Sequence, residues 1–224
     1  MKDGKALYFS PAEFAIMLEL AGEEPCSLLC DSSTLDDTDL AKAFISLFRR
    51  GLIQREKDRL TVSGEGRLFS RIRNAPIAVV MTQRKPYGSE LICYAEEDTL
   101  FLVELTDAIL TRQYRLQALD RPELVVRLFD AGLLERPVLT DGDVPELTIL
   151  FADELEENAG RPIFRLEKYC NGGSLLDTYE LRCGKSGSLL YRTSEAAHGT
   201  ELYTTEALSR MLTDCFGKGS YDYC

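Results

Sequence analysis

A pattern that occurs twice after residue 75 constrains the fold more than any other feature. The first copy opens with Pro76 and the apolar run Ile77-Ala78-Val79-Val80-Met81-Thr82. It turns at Gly88-Ser89, continues as Leu91-Ile92-Cys93-Tyr94 and Leu100-Phe101-Leu102-Val103, and ends in a helix-type segment from about Pro122 to Phe129. The second copy opens with Pro162 and Ile163-Phe164-Arg165-Leu166-Glu167-Lys168. It turns at Gly173-Ser174, passes through Leu176 to Tyr179 and Leu189-Leu190-Tyr191, and ends in a helix from about Thr205 to Phe216. Pro76 matches Pro162, Ile77 matches Ile163, Gly88 matches Gly173, Tyr94 matches Tyr179 and Leu124 matches Leu208, at offsets between 84 and 89 residues. Each copy reads as a three-stranded antiparallel meander followed by a helix. One copy alone would leave an apolar sheet face poorly covered. Two copies can pair across a pseudo-twofold axis and bury a shared core. The expectation is an α+β fold with repeats at about 76–132 and 162–217, inside a domain spanning 76–224.

Residues 1–75 read as a separate unit. Ser10-Pro11-Ala12-Glu13 is a helix start: Ser10 can cap, Pro11 suits the first helical position, and Glu13 can reach back to complete a capping box. Phe14, Met17, Leu18 and Ala21 follow at helical spacing, and Gly22 ends the segment. A second helix is predicted from about Asp36-Asp37 to Arg50, with Leu40, Ala43, Phe44, Leu47 and Phe48 as its apolar stripe and Gly51 as its stop. Leu52 to Val62 then reads as a hairpin with a charged turn at Lys57-Asp58. Ser63-Gly64-Glu65-Gly66-Arg67 opens another helix carrying Leu68 and Ile72. Over residues 8–73 this order resembles a winged-helix unit, which serves DNA binding and protein binding alike.

Charge bears on that choice. The 224-residue chain has 26 Lys and Arg against 37 acids, a formal charge of −11, which disfavours nonspecific binding to nucleic acid or anionic membrane. Between Leu40 and Asn74 the balance reverses, with nine bases (Lys42, Arg49, Arg50, Arg55, Lys57, Arg59, Arg67, Arg71 and Arg73) and three acids. Arg49, Arg50, Arg55, Lys57 and Arg59 are the candidate phosphate contacts of a DNA reader. Against that reading, the start of the second helix carries Asp36, Asp37 and Asp39. That end would meet base edges in a helix-turn-helix reader. The acids are also ordinary helix-start residues that favour the macrodipole. The outer face lacks the Arg, Asn and Gln that usually read bases.

Nothing in the sequence points to catalysis. The seven cysteines are irregularly spaced, and the one histidine, His198, falls in an expected loop. No cysteine set has zinc spacing, so no metal or cofactor is expected. Gly184-Lys185-Ser186-Gly187 is not a phosphate loop, because the upstream glycine position holds Tyr179. The acidic run Asp153 to Glu157 reads as a solvated face. No apolar run approaches the roughly 18 residues that cross a bilayer, and Glu13 and Glu19 interrupt the first amphipathic stretch. The expected compartment is the cytoplasm, without membrane insertion.

The helix start Leu7-Tyr8-Phe9-Ser10-Pro11-Ala12-Glu13-Phe14 and the repeated meanders at 77–103 and 163–191 resemble the EspG family of cytoplasmic chaperones of type VII secretion systems. The likeness lies in organisation across most of the chain, not in a diagnostic motif. It implies a non-enzymatic protein that captures a helical secretion substrate in a groove. Candidate contacts are Lys85, Tyr87 and Gly88 in the first hairpin turn, with the helices near 122–129 and 205–216. The alternative is a winged-helix DNA-binding regulator with a C-terminal sensing or dimerisation domain.

Overall fold

A computed structural model describes residues 5–22, 35–83, 90–108, 111–143, 161–170, 173–184, 187–195 and 198–217. Among them the chain forms five α-helices and eleven strands, a mixed α+β fold in which the described strand registers are all antiparallel. A short helical turn spans Asp141–Asp143. The acidic run 153–157 and the first hairpin turn, with Lys85, Tyr87 and Gly88, lie outside the described residues.

The chain divides into two compact units, Met1–Ala75 with Val103–Ala118, and Pro76–Leu102 with Leu119–Cys224. The first unit is therefore not the contiguous segment 1–75 that the sequence suggests. The reason is a strand pairing. β1 (Leu7–Phe9) pairs with β7 (Thr111–Leu119), with Leu7 opposite Leu116 and Phe9 opposite Tyr114.

The first unit is built around α1 (Pro11–Ala21). Ser10 Oγ accepts from the Glu13 amide at 3.2 Å, and Glu13 Oε2 accepts from the Ser10 amide at 2.8 Å. This reciprocal cap satisfies two donors that a helix start leaves open. Gly22 ends the helix in the left-handed region at φ 80°. Eight of the eleven residues of α1 are buried, so it is a core helix and not an amphipathic one. Phe14 stacks on Tyr114 at 4.4 Å between ring centroids, and Phe9, Phe14 and Phe69 meet edge to face. Next come α2 (Asp37–Arg49), the hairpin β2 (Ile53–Glu56) and β3 (Arg59–Val62), and α3 (Leu68–Asn74).

The second unit is a sheet with helices on one face. Its strands are β4 (Ile77–Gln83), β5 (Glu90–Glu96), the start of β6 (Thr99–Ala108), β8 (Arg161–Cys170), β9 (Leu175–Cys183), β10 (Ser188–Ser194) and β11 (His198–Leu202). They lie in the order β6-β5-β4-β8-β9-β10-β11. Val79 and Met81 of β4, Leu91 and Cys93 of β5, Phe164 and Leu166 of β8 and Leu181 of β9 point to one side. There they bury against Leu124 and Leu128 of α4 (Arg121–Asp130) and Leu208, Met211 and Leu212 of α5 (Thr205–Phe216). Asp120 and Glu123 form a second capping box at α4, and Thr204 caps α5. Arg121 then ties the two helices, donating to the Phe216 and Glu97 carbonyls at 3.1 and 2.8 Å.

Three strands were not foreseen, β1, β7 and β11. His198, expected in a loop, is the first residue of β11 and pairs with Thr193.

Gly66 gives a sharp test of the first unit's packing. A Cβ there would collide with the Leu52 carbonyl oxygen and sit 2.8 Å from the Met17 methyl. Backbone cannot yield as a side chain can, so Gly66→Ala should destabilise the protein by about 1–3 kcal/mol, the usual range for overpacking. A urea midpoint equal to that of the wild-type protein would show that this contact is not tight.

Candidate functional site

The surface built by α2 and the β2–β3 hairpin holds all five residues that the sequence singles out as possible phosphate contacts. They do not act alike. Arg50, which caps the C-terminal end of α2, stays exposed but is engaged by the fold. Its guanidinium lies 3.1 Å from the Glu13 carboxylate, donates to the Tyr8 carbonyl at 2.8 Å and sits 5.0 Å over the Phe9 ring. Arg55 donates to the Lys57 carbonyl at 3.1 Å and lies 3.6 Å from Asp58, so part of its reach is spent on its own turn. Lys57 occupies that two-residue turn at a positive φ of 56°. Arg49, Lys57 and Arg59 are exposed. Glu56 and Asp58 alternate with Arg55, Lys57 and Arg59, which leaves a weak local field.

The rotation of α2 follows from Glu13. Its Oε1 accepts from Ser46 Oγ at 2.6 Å and faces Arg50, while Ala43 and Leu47 of the same side of α2 are fully buried. That arrangement turns Ala41, Ile45 and Phe48 outward. Ile45 is 53% exposed and Phe48 44%. Phe48 therefore does not belong to the core stripe in which the sequence reading placed it, and Leu40 and Phe44 are only half-buried. α2 has two apolar stripes, one inward and one outward. The signal was present as the spacing Ala41, Ile45, Phe48, at i, i+4 and i+7. It was masked because the inward stripe shares the same spacing and alone accounts for a helix.

The second unit concentrates its ionisable groups in two networks beside α5. In the first, Tyr179 Oη donates to Asp214 at 3.0 Å. Arg192 bridges Asp177 and Asp214 at 2.9 and 3.2 Å, and Lys168 donates to the Asp214 carbonyl at 2.5 Å. Burial, reinforced by the neighbouring Cys215 and Asp214, pushes the Tyr179 phenol up from its usual value. In the second, Asp141 accepts from Thr204 at 2.5 Å and from Arg210 at 2.9 Å, and Arg210 also meets Glu201 at 2.6 Å. These bonds, that from Thr204 first, hold the Asp141 carboxyl below its ordinary range. Each charge has an opposite charge or a hydrogen-bond partner within the network. Among the described residues no group of His, Cys, Asp and Glu is placed to hold a metal ion. His198 is exposed at the sheet edge. No described helix is long and apolar enough to cross a membrane.

The thiols are graded in the same way. Cys93 and Cys215 are buried, and burial raises both thiols well above the ordinary range. Cys183 is exposed at the end of β9. Since the thiolate is the reactive form, a thiol reagent at pH 8 should modify Cys183 well before Cys93 and Cys215, which it reaches only as the second unit opens. Peptide mapping over a time course reads this out. Modification of Cys93 at the rate of Cys183 would mean the sheet core is open to solvent.

Compared with known proteins, the chain matches no protein-family model, and no curated protein matches it.

Proposed function

We propose that this protein is a non-enzymatic protein-binding module, a cytoplasmic chaperone of the EspG kind that captures a helical segment of a secreted substrate. The observation that carries the reading is the outward face of α2. Were the first unit a winged-helix DNA reader, this would be the helix to enter the major groove, and its outer face would carry Arg, Asn or Gln for the base edges. It carries Ala41, Ile45 and Phe48 instead. An exposed apolar stripe on a helix suits a protein partner.

The strand order of the second unit supports the resemblance at the level of organisation. β4 and β8 run antiparallel at its middle, with Val80 opposite Glu167. From there β4-β5-β6 and β8-β9-β10 proceed outward in the same order, and each set is followed in the chain by a helix, α4 or α5. We read this as a duplicated three-strand meander and helix about a pseudo-twofold axis. The helix, helix, hairpin, helix order of α2, β2–β3 and α3 after α1 is the basis for the winged-helix likeness. Of the earlier candidate contacts, α4 offers Val126, which is 46% exposed.

The exposed bases of the β2–β3 hairpin favour a second reading, in which they lie along a nucleic-acid backbone. One set of substitutions separates the two. With Arg55→Ala, Lys57→Ala and Arg59→Ala together, a DNA binder should lose affinity and about 2–3 units of slope in its salt dependence. A chaperone should capture its protein partner as before. The partner itself comes from affinity capture out of the native cytoplasm, with and without nuclease. A helical protein retained through nuclease and moderate salt supports the chaperone. Nucleic acid, or partners lost on nuclease treatment, would overturn it.

A further inference from the structure

From the α2 face we infer that the docked partner is an amphipathic helix whose apolar stripe is bordered on one flank by acidic residues. This rests on the protein-binding reading and specifies the chemistry of the partner. At 100° per residue, Ala41, Ile45 and Phe48 fall within a strip roughly 60° wide on α2. Thr38 joins it one turn toward the N-terminus. Ile45 and Phe48 are large apolar residues less than one turn apart, and both are exposed. The other large apolar residues exposed among the described ones are Tyr8, Leu105, Val126, Val138, Leu175 and Leu176. None of these shares a helix with another, whereas a paired stripe is the shape that a helical ligand covers.

Charge selects among possible occupants. Lys42 and Arg49 lie along the same flank of the stripe, two turns apart, and both are exposed. Asp39 is 3.4 Å from Lys42, but both side chains are more than half exposed, so the pair holds Lys42 weakly. Arg49 has no acid three or four residues before it on α2, where Ile45 and Ser46 stand. A partner helix lying along the stripe would therefore run its flank beside two positive charges about one heptad apart. Glu or Asp at that spacing would be steered to the face and held in register.

A second copy of this chain fits less well. In an antiparallel pairing of two α2 helices about a twofold axis, position 41 lies near 48 or 49 of the partner. Lys42 and Arg49 of one copy would then face Arg49 and Lys42 of the other, four like charges along one seam. Nucleic acid would meet the apolar stripe itself. A separate helix with an acidic flank satisfies both the stripe and the charges.

The test uses the full chain and two synthetic helix-stabilised peptides, followed by fluorescence anisotropy. The peptides share one leucine face and differ only in glutamate or lysine along one flank. The Glu-flanked peptide should bind at least 10-fold more tightly. Ile45→Glu and Ala41→Glu, at exposed sites where folding is unaffected, should each weaken it at least 10-fold with the circular dichroism unchanged. Lys42→Glu with Arg49→Glu should reverse the preference between the peptides. Equal binding of the two peptides, binding undiminished by Ile45→Glu, or no binding of the Glu-flanked peptide would overturn the assignment. So would a dimer in sedimentation that Ile45→Glu dissolves. A native protein partner that still copurifies with the Ile45→Glu chain would overturn this site and leave the protein-binding reading standing, whereas capture of nucleic acid alone would remove that reading itself.

Discussion

The first unit depends on one carboxylate. Glu13 is 7% exposed, and it closes the capping box of α1 while accepting from Ser46 and facing Arg50. A buried carboxylate is costly unless its oxygens are bonded and its charge is matched. Here one oxygen takes the Ser10 amide and the other takes α2. The consequence is geometric more than energetic. Because Glu13 holds Ser46 and Arg50, α2 cannot rotate to bury Ile45 and Phe48 without breaking both bonds and leaving the charge unmatched. The outward apolar stripe is thus built into the packing and is not a side effect of a loosely placed helix. The same contact pairs Arg50, one of the five candidate phosphate contacts, with Glu13.

The second unit rests on backbone pairing where the first rests on a charge. Seven residue pairs join β4 to β8, and that seam lies between β5 and β9 in the strand order. Both strands send their alternate residues into one core, Val79 and Met81 from one and Phe164 and Leu166 from the other. α4 and α5 cover that face. Neither half would cover its sheet alone, which is why the two sets of strands share one cluster of buried residues.

Much of this organisation was readable in the sequence, and the reasons are local. Ser10 with Glu13 announced α1, the charged turn at Lys57-Asp58 announced the hairpin, and alternating apolar runs announced β4, β5, β8 and β10. What failed was nonlocal or polar. The β7 segment Thr-Arg-Gln-Tyr-Arg-Leu-Gln-Ala-Leu does alternate, with Tyr114 and Leu116 buried, but its charged positions hid the period. β11, His-Gly-Thr-Glu-Leu, buries one residue of five and gives almost no signal. No periodicity says which unit a strand joins, so the recruitment of Val103–Ala118 by β1 could not be seen. Phe48 was misplaced for a related reason: spacing identifies a stripe but not which of two stripes faces the core.

That ambiguity bears directly on function. A basic hairpin beside a helix invites a nucleic-acid reading, and the count of nine bases to three acids strengthens it. Placement weakens it. Arg50 is engaged with Glu13, Tyr8 and Phe9, and Arg73 donates to the Ala21 carbonyl at 2.9 Å. Arg73 thus caps the last carbonyl of α1, and Arg50 ties the end of α2 to Glu13 and to β1. With these two engaged, Lys42 beside Asp39 and Arg55 beside Asp58, the outward face of α2 between them is apolar. An apolar strip with two bases on one flank is poorly suited to a phosphate backbone, which offers charge on both sides and no apolar face along its edge. It is well suited to a helix that offers one apolar face and one acidic flank.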